Sequence, residues 1–260
     1  MKKYNIINWF VVAVLFFSVA GCTTNNKGKA KGQTTSTATI DPLPSWNESK
    51  NKTDIINYLV AVTDKNSPDF IPVKDRIATF DNDGTIWSEQ PAYFQLFFAI
   101  DEIKALAPQH PEWKNTQPFK AVLDNDMKTI AQSGERGLLK LVMVSHAGMS
   151  TRKFKSIVKI WADTAKNPTK HVLFTALVYK PMLELLIYLQ ANHFKTYIVS
   201  GGGLDFMRAI IPELYGIPSE QIIGSTGKTA YDYNNGDPVI IKLAQLDFID
   251  DKDGKPININ

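Results

Sequence analysis

One cysteine, Cys22, is all that 260 residues contain, so no internal disulfide can staple this chain. A surplus of one charge is missing as well. There are 29 basic and 26 acidic side chains, and loss of Lys2 and Lys3 with an N-terminal leader would leave 27 against 26. That balance carries no electrostatic footprint for nucleic acid, and no nucleic-acid partner is expected. Long apolar runs are missing too: the longest, Trp9–Ala20, is too short for an ordinary membrane span. From Thr23 to about Pro44 apolar residues are almost absent, which excludes a core there. What remains is 44% hydrophobic and 21% charged, the balance of one globular α/β domain with an insertion.

The N-terminus reads as an address. A basic start, the apolar run and Val19-Ala20-Gly21-Cys22 describe a secretory leader over residues 1–21. The small residues before the cysteine resemble a bacterial lipobox. That resemblance implies lipidation of Cys22 after cleavage, export, and a membrane partner reached through the lipid anchor. The expected location is the cell envelope on the periplasmic side, with the outer membrane favoured if the source has two membranes. Residues 22–45 then read as a flexible tether.

The stretch that organises the body is Ile77-Ala78-Thr79-Phe80-Asp81-Asn82-Asp83-Gly84-Thr85, which predicts a buried strand emptying into a functional loop. Residues i and i+2 share a side of an extended chain, so Asp81 and Asp83 can face one substrate atom. One carboxylate can attack while the other passes a proton. Gly84 permits positive φ, and Thr85 offers a hydroxyl and an N–H to an anion. Farther on, Tyr197-Ile198-Val199-Ser200-Gly201-Gly202-Gly203 repeats the design of apolar strand, hydroxyl, glycines and helix. Ser200, Gly201 and the N–H groups that follow could hold a phosphate. The glycines lack the spacing, and a placed acid, of a dinucleotide fingerprint.

Phe80-Asp81-Asn82-Asp83-Gly84-Thr85 resembles the first motif of the haloacid dehalogenase-like (HAD) phosphohydrolases, and the Ser200 strand resembles their second. The resemblance implies an α/β fold with a Rossmann-like parallel sheet and a helical cap inserted between those motifs. The boundaries it suggests are 46–90 and 180–260 for the core and 91–179 for the cap. Lys255 is aligned with the third-motif lysine, with Lys242 and Lys228 as weaker candidates. A fourth motif should follow about twenty residues on, yet the sequence stops at Asn260, which suggests a member cut short, with Asp250 or Asp251 as substitutes for its acids. Greasy residues from Tyr93 to Ile100 predict a helix packed between two bodies, and Ser145–Ser150 a loop whose His146 either selects substrate or is a satisfied polar group. Thr53 is a candidate cap for a helix through Ile55, Leu59 and Val62, Phe119–Ala131 reads as a helix, and Asn234-Asn235-Gly236-Asp237 reads as a hairpin connection.

The activity implied is phosphomonoester hydrolysis through an aspartyl-phosphate. Asp81 would be the nucleophile and Asp83 the acid and base. Mg²⁺ would sit on the Asp81 carboxylate and the Asp83 carbonyl, and Thr85, Ser200, Gly201 and Lys255 would hold a small phosphorylated substrate. A dehalogenase-type hydrolase remains as the near alternative, and a catalytically impaired, lipid-anchored binding or structural protein as the distant one.

Overall fold

Four strands pair into the sheet that carries the candidate site, and helices pack against it. In chain order these elements are α1 (Lys50–Thr63), β1 (Ile77–Phe80), α2 (Phe94–Leu106), α3 (Phe119–Leu123), α4 (Met127–Gln132), α5 (Gly134–Val144), α6 (Thr151–Thr164), α7 (Lys180–Ala191), β2 (Lys195–Gly203), α8 (Leu204–Tyr215), β3 (Ile222–Asn234), β4 (Asp237–Phe248) and α9 (Gly254–Ile259). This computed structural model describes residues 40–260. The leader, Cys22 and most of the predicted tether lie outside the described residues. The tether was predicted to run to residue 45, but the packed body begins sooner. Leu43 is fully buried, Asp41 pairs with Lys52 at 2.6 Å, and the Ser45 N–H donates to Glu184 at 2.8 Å.

The sheet order is β1-β2-β3-β4. β1, β2 and β3 run parallel, the parallel core expected from the sequence, and β4 returns antiparallel along β3, so the sheet as a whole is mixed. The reason is local. Asn235 and Gly236, at φ 52° and 88°, make a two-residue turn that only positive φ allows, and such a turn produces a hairpin, not a crossover. A second correction concerns β1. It was predicted as a buried strand, yet it lies at the end of the sheet, with Ile77 and Thr79 exposed and Ala78 and Phe80 half-buried. Period-2 geometry puts only one of its faces on the core.

Helix boundaries follow local chemistry. Ser49, not Thr53 as the sequence suggests, caps α1 by accepting from Lys52 N–H. One predicted helix over 119–131 is two, because Asp126 starts a new one by accepting from Thr129 N–H at 3.0 Å. Helix α2 joins two apolar clusters. Its Phe94 and Phe98 belong to one with Trp87, Phe154, Trp161 and Phe206, and its Leu96, Ile100 and Ile103 to another with Trp113, Phe119 and Leu141. The first cluster includes α6 residues from the segment assigned to a cap together with α8 beside the sheet, so apolar packing is continuous across that boundary. Among the described residues no helix is long and apolar enough to cross a membrane.

His146 does not reach over a site. Its side chain is buried at 3% exposure, edge-on to Phe154 with centroids 5.0 Å apart, and neither ring nitrogen has a partner. Burial, with the nearby Lys242 charge, lowers its pKa from 6.5 to about 4, against a smaller opposing effect of Asp205. Between those values the unfolded chain binds the proton and the folded one does not. Stability is therefore full above the unfolded value and falls as pH drops toward the folded one, by roughly 3 kcal/mol at most. His146→Leu should flatten the acid-side loss between pH 6.5 and about 4, read from urea midpoints. An acid-side loss as steep as in the native protein would place it on other groups.

Candidate functional site

The site forms where β1 ends and the chain turns back on itself. The Asn82 carbonyl accepts from the N–H groups of Thr85, Ile86 and Trp87 at 3.1, 2.9 and 3.3 Å, and Gly84 N–H closes the turn on Trp87 O at 2.8 Å. Gly84 sits at φ 72°, and a Cβ there would lie 2.9 Å from the Glu89 carboxylate carbon. Only glycine fits both demands. Thr85 therefore spends its N–H inside the turn, a correction to its predicted role as a two-group anion donor. Its hydroxyl remains.

The two acids that leave β1 have opposite environments. Asp81 is half-exposed, and its Oδ1 lies 3.1 Å from Lys255 Nζ and accepts from Asn82 N–H at 2.9 Å. Asp83 is tucked inward. Its Oδ1 accepts from the indole N–H of Trp87 at 2.8 Å, and its Oδ2 is 3.5 Å from the hydroxyl of the buried Ser200. Burial pushes the Asp83 carboxyl above the usual range. The bonds from Trp87 and Ser200 oppose this, and the charges of Asp81 and Glu89 add to it. Tyr215, whose hydroxyl donates to Asn82 Oδ1 at 3.4 Å, is held well above its ordinary range by burial first and by Asp83 second.

Ser200 and the glycines after it come to the same place along β2. Ser200 Oγ accepts from Gly202 N–H at 3.2 Å. Gly203 N–H, at the start of α8, donates to Gln95 Oε1 of α2 at 2.7 Å, so that backbone donor is already engaged. Gly201 packs beside Asp251: a Cβ on it would stand 3.5 Å from Asp251 Cβ.

Of the three lysines weighed from the sequence, Lys255 at the start of α9 is the one beside Asp81. Lys242 is buried in an ion pair with Asp205, and Lys228 is exposed on β3. Asp250 is fully buried. One of its oxygens accepts from Asn258 at 3.1 Å and the other has no partner. Burial raises its pKa, and Asp251 and Asp81 add to that. Trp87, Glu89, Tyr93 and Gln95 were missed as site residues because they read as apolar packing or surface. Trp87 carried one available signal, since it stands four residues after Asp83 in a tight turn.

The donor set suits a hard cation that is completed by its substrate. Among the described residues no three Asp, Glu, His or Cys side chains converge on one point, so an all-protein cage is excluded there. Mg²⁺ commonly binds through one or two carboxylates, substrate oxygens and water, and Asp81 is a half-exposed carboxylate of the kind that lighter requirement needs. A second cleft of about 730 Å³ lies between α6 and the β3–β4 hairpin, lined by none of these acids.

The family model of haloacid dehalogenase-like hydrolases matches residues 78–244. Among solved structures, a protein of unknown function from Bordetella pertussis Tohama I is 15% identical, with 71% of this chain and 72% of that one covered and a TM-score of 0.45. A phosphoserine phosphohydrolase-like protein from Francisella tularensis is 18% identical over 66% of this chain and 64% of its own, with a TM-score of 0.35. A probable phosphoserine phosphatase from Vibrio cholerae is 17% identical over 65% and 40%, with a TM-score of 0.33. No curated protein matches the chain.

Because Asp83 has a raised pKa, the folded protein binds a proton that the unfolded chain has released, and stability falls as pH rises from the unfolded value through the folded one. Asp83→Asn removes that loss. Its melting temperature in EDTA should exceed the native value near pH 7 and converge with it below the ordinary carboxylate value of 3.8. A variant that is less stable at pH 7 would show that the Trp87 bond outweighs burial.

Proposed function

This chain belongs to the haloacid dehalogenase-like hydrolases, and within that family we propose that it hydrolyses phosphomonoesters through an aspartyl-phosphate on Asp81. The observation that carries the reading is the division of the two acids: one faces an ammonium and solvent, and the other is buried, tethered and biased toward its protonated form.

Asp81 Oδ1 is held by Lys255 and the Asn82 N–H, which leaves Oδ2 to attack phosphorus. The P–O bond to the alcohol breaks as the new P–O bond to Asp81 forms. Asp83 gives its proton to the departing oxygen and then takes one from the water that cleaves the acyl phosphate, which returns both acids to their starting states. Lys255, the Ser200 hydroxyl, the Thr85 hydroxyl and Gly201 would hold the phosphoryl oxygens, where charge accumulates in the transition state. The Asp81 carboxylate and the Asp83 carbonyl would hold Mg²⁺, which would supply charge neutralisation at the phosphoryl group. Departure of a halide needs no proton, so an acid two residues after the nucleophile, buried and raised in pKa, argues for phosphate over dehalogenation.

We also propose that the enzyme works from a membrane surface outside the cytoplasm, anchored by lipid on Cys22. The support is the run of leader, small residues and cysteine in Trp9–Cys22. Metabolic acyl labelling should be lost in Cys22→Ser, and equal labelling of both forms would exclude the anchor.

With p-nitrophenyl phosphate and Mg²⁺, Asp81→Asn should abolish both turnover and the +80 Da phosphoryl adduct trapped by acid quench, about the mass of one added PO₃H unit. Lys255→Ala should lower kcat/KM by ~10² to 10³, the usual cost of one charge-stabilising donor. Undiminished turnover in Asp81→Asn would overturn the assignment.

A further inference from the structure

Beside the Gly84 turn, against which Glu89 packs, a groove of about 650 Å³ opens against α2 and α4, and its lining is largely apolar. Ala92, Leu96, Phe97, Met127, Ile130 and Leu138 make apolar walls. Leu96 and Ile130 belong to a buried cluster, so those walls are anchored in packed core. Met127 keeps 41% of its surface exposed, a thioether left facing the open groove. Its two titratable groups, Glu89 and Tyr93, stand where it meets the catalytic turn. The Glu89 carboxylate packs on Gly84. The Tyr93 hydroxyl, raised in pKa chiefly by burial and by Glu89, also feels the charges of Asp83, Asp251 and Asp81. The groove therefore runs from the loop that carries both acids outward along an apolar surface.

We propose that this groove receives the alcohol half of the substrate, and that the substrates are phosphate monoesters whose alcohol carries an apolar alkyl or aryl body. The assignment rests on the phosphatase reading for the phosphoryl end, and on the groove alone for the organic end. Its volume lies in the range of pockets that bury a whole small organic molecule. A short polar alcohol would leave the apolar walls wet and gain nothing from them. An alkyl chain laid along them gains up to about fourfold in affinity per methylene that leaves water. Glu89 adds a local preference at the polar end, for a hydrogen-bond donor or cation close to the ester oxygen and against a second anion.

The test uses non-hydrolysable ligands, so that binding is read without turnover. With saturating Mg²⁺, calorimetry should show that hexylphosphonate binds at least about tenfold tighter than ethylphosphonate, less than full burial of four methylenes would give because the groove is open on one side. Ala131 lines the groove from an exposed position on α4, and Ala131→Trp should fill the groove and bring the ratio to within about threefold, with ethylphosphonate as internal control for the fold. Hexylphosphonate that binds no better than ethylphosphonate, or not at all, would overturn the proposal. A ratio that Ala131→Trp leaves untouched would overturn it too, because the chain would then lie elsewhere. Chain-length-dependent binding without Asp81-dependent hydrolysis of any alkyl phosphate would instead sink the phosphatase reading and leave the groove assignment standing.

Discussion

Two carboxylates two residues apart at the end of one strand repel each other, and the site is arranged around relieving that repulsion. The relief is asymmetric. Asp81 faces water and the Lys255 ammonium, whereas Asp83 is turned inward onto an indole N–H and a serine hydroxyl. A half-exposed ion pair such as Asp81–Lys255 adds little stability, so its value lies in placing a cation where phosphoryl charge would gather. The Trp87 bond is the reverse case. It lies in a buried setting, where a charge-assisted bond is strong and a lost partner costs the group its full desolvation. Trp87 itself is held by the apolar cluster that also takes in Phe94 and Phe206, so the acid's orientation is backed by core packing.

Much of this was legible before any fold was seen, and the reasons are specific. Asp81 and Asp83 were visible because two acids after an apolar run break every packing expectation, and Ser200-Gly201 because it repeats that break at a second strand. The Asn234–Asp237 turn was visible because Asn-Gly favours the positive φ it needs. Other features were hidden by the kind of information they require. Nothing in Ile77–Phe80 says whether its neighbours lie on one side or two, so the edge position of β1 depends on tertiary pairing alone. Ser49 took the cap of α1 from Thr53 because either residue could start the helix and only packing decides between them. His146 was ambiguous for a different reason. A histidine in a glycine-containing loop suits a substrate-selecting role as well as a satisfied polar one, and its burial against Phe154 near the Lys242 charge depends on α6 and β4 meeting there.

Lys255 lies beside Asp81, and the sequence could not show that the long hairpin between Ile222 and Phe248 is what returns the chain to β1. The hairpin turns the chain around, and the Phe248–Gly254 segment then delivers Lys255 across the end of the sheet to Asp81. Asp250 N–H on Ser225 Oγ at 2.9 Å and Ser225 Oγ on Gly201 O at 2.8 Å tie that segment to β3 and β2. A lysine near the C-terminal end of the described chain thus acquires a fixed address through three hydrogen-bonded strands.

Helix α2 links recognition at the two ends of the proposed substrate. Through Gln95 it takes up the Gly203 N–H, a donor at the start of α8 that would otherwise suit an anion. Through Leu96 and Phe97 it builds the groove wall. With that N–H engaged, the proposed phosphate contacts are left to Gly201, Lys255 and the hydroxyls, and the hydroxyl protons can be re-aimed as the phosphoryl geometry changes. One rigid helix, pinned between two apolar clusters by alternate stretches of its own surface, therefore sets both the distance from the acids to the groove and which donors are left for phosphate. A shift of α2 would disturb both together, which makes its two-sided greasiness a requirement of the site as much as of the core.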